Sequence, residues 1–438
     1  MAAQTTVPAA TSTLLARFRS VRAATLAFTA PLSPEDMMVQ SCAEASPVKW
    51  HLAHTTWFFE TFVLTPFAPA YKPFHKDFHW LFNSYYNSLG DMPAKNLRSS
   101  FSRPPLDDIL AYRTHVDQAI ARLLEDELGG NEFDVLSRVA LGLEHEQQHL
   151  ELAATDIKHA LFTNPLHPAY QLSGAPCQSA LSLEVGFQSF EGGLIDIGVS
   201  PDPTDPLAFA FDNETPQHKV YLQPFQLANR LVTVRDYLAF VEDNGYTRPE
   251  LWLSEGWTTC RAEGWQAPLY WKQKQIFTLL GFLPMEDLLD TPVCHLSFFE
   301  ADAFARWSGC RLPTEFEWEH AAHQTPQSAS ANMLETGNLH PTSIRLSSFA
   351  KGGGPASSVA LQQMFGDVWE WTASPYTGYP GYKPLPGALG EYNGKFMSSQ
   401  IILRGGSCVT PASHIRPTYR NFFHPATRWQ FSGLRLAK

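Results

Sequence analysis

The chain has 438 residues, of which 17% are charged and 44% are hydrophobic, and its formal net charge is −11 at pH 7. This length is ample for two or three domains with their own cores. The negative charge, without a basic stripe, argues against nucleic acid as a partner. Apolar runs are too short to span a bilayer, so the sequence also argues against a membrane partner.

The cysteines and the first segment bear on the compartment. The six cysteines form no C-x-x-C pair, and we see no secretory signal peptide. Reduced thiols in a cytoplasmic protein are therefore expected. The segment before Glu35 is rich in Ala, Ser, Thr and Arg and resembles a transit peptide weakly. Leu14, Phe18 and Val21 instead have the spacing of an ordinary amphipathic helix.

Residues 12–162 predict mostly helix. The first predicted helix is the one that contains Leu14, Phe18 and Val21. The second is "VKWHLAHTTWFFETFVL", which follows Ser46-Pro47, a good helix start. The segment "PPLDDILAYRTHVDQAIARLLEDELGG" ends at Gly129-Gly130, and "NEFDVLSRVALGLEHEQQHLELAATDIKHALF" follows it. Four long helices are enough for a bundle, with a long aromatic connection, residues 67–103, between the second and the third.

From residue 163 the sequence changes character. A proline-rich connector, residues 166–185, leads into short strand-like runs, many Gly and Trp residues, and long loops. One helix stands out there, "SFFEADAFARWSG". We therefore expect an α+β protein with a helical domain over residues 1–165 and a mixed domain over residues 186–438.

The stretch "HEQQH", from His145 to His149, is a literal H-E-x-x-H. In zinc proteases this motif supplies two His ligands and a Glu general base. Residues four apart share one helix face, so the two histidines can hold one metal ion. Gln148 lies close to that face, whereas Glu146 is rotated away by about a quarter turn or more. Two histidines on an inward face are costly without a use, which favours a metal site over hydrogen-bonded core histidines.

The third ligand decides what kind of metal site this is. Thr155 stands where the extended protease motif has its third His, and the chain then turns into the connector. The natural third ligand is upstream, in "WHLAH", where either His51 or His54 could reach the bundle interior. Three His ligands with open positions suit zinc hydrolysis or non-haem iron oxygen chemistry, and spacing alone leaves the metal open.

Motifs along nearly the whole chain resemble those of the EgtB family of ergothioneine biosynthesis. They include "SPVKWHLAHTTWFFETFVL", "LFNSYYN", "HEQQHLELAATDIKH", "GDVWEWTASPY", "EYNGKFM", "LRGGSC" and "YRNFFHPATRWQFSGLRLA". The resemblance implies a DinB-like four-helix bundle joined to a domain similar to the formylglycine-generating enzyme, with a C-type-lectin-like fold that closes the active site. The resemblance also implies that the match of H-E-x-x-H to the zinc-protease motif is coincidental.

The resemblance also implies a mononuclear non-haem iron(II) held by His54, His145 and His149, with O2 as co-substrate. It thereby selects His54 over His51. Enzymes of this family join sulfur oxidatively to C2 of the imidazole ring of hercynine, which is Nα-trimethylhistidine. The expected partners are therefore small molecules, hercynine and a sulfur or selenium donor.

Other site residues follow from the same resemblance. Tyr85 and Tyr86 match tyrosines near the iron in the branch that uses free cysteine. A phenol beside a centre that activates O2 can donate a proton or a hydrogen atom. Aromatic faces suit the trimethylammonium group of hercynine. Positions that contact hercynine or line its pocket are matched by Gln148, Asn421, Phe422 and Phe423.

The chain departs from the family pattern at the expected donor site. Phe423 and Thr427 stand where the mycobacterial-type branch has the Asp and Arg that recognise a γ-glutamyl group, which argues against γ-glutamylcysteine. Lys95 replaces the Arg that binds the donor carboxylate, and Lys offers a point charge instead of a fork. Arg98 occupies the second basic position of the same loop motif and is the other predicted substrate-binding cation.

These departures favour a donor without a carboxylate. Ser99 and Ser100 replace the Gly and Leu of the family pattern, so the loop that follows Lys95 is more polar than in that pattern, which suits a sugar. The sequence therefore leans towards the selenoneine synthase branch, SenA, which uses hercynine and 1-seleno-glucose to form a C–Se bond. Cysteine-dependent sulfoxide synthesis is the alternative. A zinc-dependent DinB-like hydrolase or thiol transferase is the alternative of another class.

Overall fold

The computed structural model describes residues 7–126, 128–171, 183–325, 330–344 and 360–438. Residues 172–182 of the predicted connector lie outside the described residues. The chain forms two compact units. The first contains Met1–Thr163, Ser200–Asp212 and Lys383–Asn393, and the second contains Asn164–Val199, Asn213–Tyr382 and Gly394–Lys438.

The first unit is helical. Its α-helices are α1 (Val7–Thr29), α2 (Val48–Phe59), α3 (Thr65–Phe67), α4 (Phe78–Leu81), α5 (Leu106–Glu125) and α6 (Glu132–Thr163). A π-helical segment, Glu60–Leu64, continues α2 into α3. The four long helices contact one another in the cycle α1–α6–α2–α5, as in a four-helix bundle. The predicted bundle is thereby confirmed.

The sequence explains the placement of these helices. Pro47 and Pro105 immediately precede α2 and α5, where a missing N–H costs nothing. On α5 the buried residues Ile109, Tyr112, Val116 and Ile120 recur every three or four positions, so one face enters the core. A Cβ on Gly142 would lie 2.5 Å from the Phe59 ring, so glycine permits the close approach of α6 to α2.

The second unit mixes helices with short strands. The α-helices are α7 (Val234–Glu242), α8 (Ser254–Ala262), α9 (Phe298–Trp307) and α10 (Glu315–His323). The strands are β1 (Phe187–Phe190), β2 (Gly193–Ile197), β3 (His218–Leu222), β4 (Phe225–Ala228), β5 (Trp271–Lys272), β6 (Gln275–Thr278), β7 (Gly281–Pro284), β8 (Trp369–Pro375), β9 (Ile401–Arg404), β10 (Asn421–Phe423) and β11 (Ser432–Gly433). This combination confirms the predicted α+β class.

The described strands form small sheets. The largest has the order β10-β9-β8-β11, a second has the order β5-β6-β7, and β1 pairs with β4 as β2 pairs with β3. In the largest sheet Asn421 is paired with Leu403, and Trp371 is paired with Leu403 from the other side. Each of α7, α9 and α10 begins with a capping box, which satisfies backbone donors at the helix start.

Buried ion pairs hold the second unit together. The Arg404 guanidinium donates to Glu315 at 2.8 Å and to Glu319 at 2.9 Å, and Arg420 donates to Glu315 at 2.9 Å. All four side chains are buried, so each charge has its partner inside the core. Among the described residues, none of the helices combines the length and the apolar character that crossing a bilayer requires.

Candidate metal centre

Three buried histidines converge inside the helical unit. His54 projects from α2, and His145 and His149 project from α6, where their spacing of four places them on one face. One ligand atom from each lies within 4.8 Å of the others. The ring centroids of His145 and His149 are 4.5 Å apart, and that of His54 is 4.7 Å from His149. The residues of the iron site implied by resemblance are therefore close together.

Packing and one hydrogen bond fix the ring of His54. The ring lies between Trp50 and Trp57, stacked at centroid distances of 4.5 and 5.4 Å. Its Nδ1 is 2.7 Å from the carbonyl oxygen of Phe82, which can only accept, so Nδ1 carries the proton. Nε2 is then the nitrogen with a lone pair for a metal, and the carbonyl is the kind of outer partner that orients metal-bound histidines.

His145 supplies the test of whether a metal fits. Both of its ring nitrogens are buried, and neither has a hydrogen-bond partner within the described residues. Burial lowers the pKa of His145 to about 3, and burial also lowers the pKa values of His54 and His149 well below the ordinary value. Three neutral imidazoles are the ligand form that a divalent cation takes. The donor set therefore fits a three-His metal site.

His51 has a different environment from His54. Its Nδ1 lies 2.8 Å from Nδ1 of His149, and its Nε2 lies 3.1 Å from Oδ2 of Asp156. Both nitrogens of His51 are thus engaged by protein groups, which leaves neither for a metal. The two histidines of "WHLAH", which spacing could not separate, have distinct surroundings.

Glu146 takes no part in the cluster. Arg22 donates to it at 2.6 Å, Thr25 donates to it at 2.8 Å, and Arg113 donates a further, short hydrogen bond. Burial would raise the pKa of Glu146, but the charges of Arg113 and Arg22 outweigh burial and lower it to about 2. A carboxylate fixed between two guanidinium groups is unsuited to act as a general base. This geometry argues against the protease interpretation of H-E-x-x-H.

The two predicted tyrosines differ in exposure. Tyr86 is buried against Trp57 and Phe62, at centroid distances of 5.6 and 5.1 Å, and lines a pocket together with His145. Tyr85 is 37% exposed and has a φ of 69°, which is uncommon for a residue other than glycine. Its phenol interacts electrostatically with the Arg98 guanidinium. Unusual backbone angles cluster at functional sites, where surrounding contacts maintain them.

A third tyrosine, Tyr392, reaches the same pocket and was missed by the sequence reasoning. Its hydroxyl donates a short hydrogen bond to Oε1 of Gln148, and its ring is 5.8 Å from that of His145. Next to it, Asn393 donates to Asp212 at 2.6 Å. The pocket is lined by Phe58, Tyr86, Leu141, His145, Phe211, Asp212, Leu385, Leu389, Tyr392 and Asn393. The motif "EYNGKFM" contains Tyr392, but no local pattern connects it with the bundle.

The two predicted substrate-binding cations also differ. The Arg98 guanidinium lies 3.5 Å from the centroid of the Trp50 ring and donates to Ser46 Oγ at 2.9 Å and to Ser84 Oγ at 2.8 Å. Burial lowers the pKa of Arg98 to about 10. The Lys95 ammonium donates a short hydrogen bond to the carbonyl of Glu44. Arg98 is thus a buried cation held by hydroxyl groups, whereas Lys95 is partly exposed and bound to the backbone.

The remaining predicted residues belong to the second unit. Asn421, Phe422 and Phe423 form β10. Phe422 stacks on Tyr376 at 4.1 Å between centroids, and Phe423 contacts the ring of Trp429 at 5.7 Å. All three side chains are partly exposed. Their predicted role in a hercynine pocket stays a prediction.

Comparisons with known proteins agree with this architecture. The DinB superfamily matches residues 17–153, and the sulfatase-modifying factor enzyme 1-like domain matches residues 184–438. The hercynine oxygenase of Mycolicibacterium smegmatis is 35% identical over 319 residues, which cover 68% of this chain and 71% of that protein.

Other relatives are similar over shorter spans. The hercynine oxygenase of Mycobacterium tuberculosis is 37% identical over 52% of this chain and 56% of its own length. Ergothioneine biosynthesis protein 1 of Schizosaccharomyces pombe is 26% identical over 56% of this chain and 29% of its own length. With the two domain matches and the three-His cluster, these similarities show that the chain belongs to the EgtB-type hercynine oxygenase family.

Proposed function

We propose that this protein is an iron(II)- and O2-dependent enzyme that joins a chalcogen atom to C2 of the imidazole ring of hercynine. The buried cluster of His54, His145 and His149 carries the proposal, because three neutral imidazoles without a carboxylate ligand suit a metal that keeps open positions. Membership of the hercynine oxygenase family supports the choice of substrate and of O2 chemistry. Bound iron(II) would supply the activation of O2.

The overall reaction balances without another reductant. The hydrogen on C2 of hercynine and the hydrogen of the thiol or selenol are removed as the new carbon–chalcogen bond forms. One oxygen atom of O2 ends on sulfur or selenium, and the other leaves as water with the two hydrogens. The protein must therefore bind two organic substrates side by side and control where protons go.

Neighbouring side chains suit these tasks. Gln148 precedes His149 on α6, and its amide oxygen accepts a hydrogen bond from the Tyr392 hydroxyl, so it can bind the hercynine imidazole in a fixed orientation. Arg98 offers a buried positive charge, which suits the carboxylate of an amino-acid substrate. Tyr85, Tyr86 and Tyr392 are candidate proton donors.

We predict that loss of a catalytic phenol slows product formation without weakening hercynine binding. Tyr86→Phe and Tyr392→Phe keep the rings but remove the hydroxyls, so turnover should fall by about 100-fold or more where the hydroxyl transfers a proton. Tyr85→Phe should also slow turnover or divert the sulfur or selenium donor to dioxygenation. Hercynine affinity and product ratios by mass spectrometry, compared in all three variants, provide the measurement.

Tyr71→Phe is the matched control for this series. The Tyr71 hydroxyl donates to Glu60 in the same helical unit, and Tyr71 does not line the pocket described above. Its removal should leave rate and product ratio unchanged. Native rates in the Tyr85, Tyr86 and Tyr392 variants would reduce these tyrosines to packing residues.

For the donor, we propose a selenosugar such as 1-seleno-glucose, with C–Se bond formation, and cysteine as the alternative. The Lys95 ammonium is engaged by the Glu44 carbonyl, so a donor carboxylate would compete with that bond. Lys also lacks the bidentate fork of Arg. Ser99 and Ser100, both exposed, add hydroxyl groups that a sugar can use. Thr427 and Phe423 offer no charge to a γ-glutamyl group.

A competition experiment tests this choice. Iron-loaded enzyme with hercynine and O2 is offered selenoglucose, thioglucose, cysteine and γ-glutamylcysteine together, and the products are identified by mass. We expect selenoglucose to have the highest kcat/KM and γ-glutamylcysteine the lowest. The variant Lys95→Arg restores the fork and should raise the relative use of cysteine.

Two outcomes would contradict the proposals at different levels. A higher kcat/KM for cysteine than for selenoglucose would overturn the selenium proposal and leave the hercynine chemistry intact. Full activity with zinc and without O2 would instead favour a DinB-like hydrolase or thiol transferase, and the iron proposal itself would be wrong.

A further inference from the structure

A chain of hydrogen bonds leads from Asp156 through His51 to His149. Oδ2 of Asp156 lies 3.1 Å from Nε2 of His51, and Nδ1 of His51 lies 2.8 Å from Nδ1 of His149. All three side chains are buried, with at most 7% of each residue exposed. We propose that Asp156 and His51 are positioning residues that fix the tautomer and ring orientation of His149 for metal binding. This inference rests on the metal site of the proposed function.

The direction of the hydrogen bonds follows from the groups at the end of the chain. An ionised carboxylate only accepts hydrogen bonds, so Nε2 of His51 carries the proton and donates it to Asp156. Neutral His51 then has a lone pair on Nδ1, which accepts from Nδ1–H of His149. Nε2 of His149 is left with its lone pair, which is the atom that a metal requires.

A reversed chain would block the ligand. If Nδ1 of His51 donated to His149, a neutral His149 would carry its proton on Nε2 and could not coordinate through that atom. A carboxylate that holds an imidazole in one tautomer has a known precedent in serine proteases, where the corresponding Asp to Asn change leaves the geometry intact but selects the wrong tautomer. Metal-bound histidines almost always have such an outer partner.

Asp156 is itself held in place. Its Oδ2 also accepts from the backbone N–H of Ser46, at 2.8 Å, and the Ser46 hydroxyl accepts from Arg98 at 2.9 Å. The carboxylate that orients His149 is therefore hydrogen-bonded to the segment before α2, which also contacts a predicted substrate-binding cation. This arrangement fixes the position of Asp156, the first residue of the Asp156–His51–His149 relay.

The test measures metal affinity instead of turnover. Co(II), which imidazole ligands bind well, is titrated into the full chain in competition with a chelator. His51→Ala and Asp156→Asn should each raise the dissociation constant by about 10–100-fold, the usual cost of losing an outer partner. His51→Gln should remain within a few-fold of the native value, because its amide can donate to Asp156 and accept from His149.

Controls separate orientation from folding. His115→Ala removes a histidine from α5 whose Nε2 is 3.0 Å from the Lys72 carbonyl oxygen, outside the relay, and should leave the dissociation constant unchanged. Thermal midpoints of the metal-free variants report on folding, and if His51→Ala does not fold, Asp156→Asn and His51→Gln decide. Native affinity in Asp156→Asn, or equal losses in His51→Gln and His51→Ala, would overturn the relay. A native chain that binds neither Co(II) nor Fe(II) would overturn the metal site instead.

Discussion

His145→Ala or His149→Ala is expected to abolish iron binding and hercynine-dependent O2 uptake. Each variant leaves two imidazoles in a buried site, and the loss should exceed the 10–100-fold that an outer partner costs, since a direct ligand is removed. His54→Ala should have the same effect. The measurements are the iron content after anaerobic reconstitution and desalting, and the rate of O2 uptake with hercynine.

His51→Ala is the informative comparison for this series. Because His51 contacts His149 and Asp156 and leaves no nitrogen for the metal, the variant should keep iron with reduced affinity. His115→Ala, on α5, should keep both iron and activity. Should His51→Ala strip the metal while His54→Ala retains it, the ligand assignment would be wrong.

The parts of the site that the sequence could predict are those that a single helix determines. His145 and His149 share a face of α6 because they are four residues apart, and any helix would bring them together. Pro47 and Gly129-Gly130 mark helix ends, so the number of long helices could also be predicted. The period of the apolar residues then indicated which faces turn inward.

The parts that the sequence could not predict depend on contacts distant in the chain. Tyr392 meets Gln148 across 244 positions, because the segment Lys383–Asn393 belongs to the helical unit. His51 and His54 are three apart, and helical spacing allows either to face inward. Only the partners Asp156 and Phe82 distinguish them, and no local pattern contains those partners.

The same limit applies to Glu146. Its position in the H-E-x-x-H motif suggests a general base, yet its side chain is fully buried between Arg22 on α1 and Arg113 on α5. The three charges tie α1, α5 and α6 together inside the bundle. Removing one member of a buried ion pair leaves the other charge uncompensated, which costs more than the pair itself contributes.

This arrangement makes the stability of the bundle depend on pH. The pKa of Glu146 is lowered from 4.5 to about 2 in the folded chain. Its contribution, about 3 kcal/mol for a shift of this size, is fully present above pH 4.5 and is lost as the pH falls towards 2. Glu146→Gln should remove this part of the acid dependence.

Glu146→Ala is expected to destabilise the helical unit by about 3–5 kcal/mol, because it leaves two buried guanidinium groups without their anion. Native-state hydrogen exchange of amides in α1, α5 and α6 measures the loss locally, which avoids treating a chain of two units as two-state. Glu144→Ala is the matched control, two residues away on α6. Its partner Arg17 is 32% exposed, so water can solvate the remaining charge and the loss should be smaller. If Glu146→Gln instead kept native exchange protection and lost turnover alone, Glu146 would be a catalytic base and not the anion that stabilises the bundle.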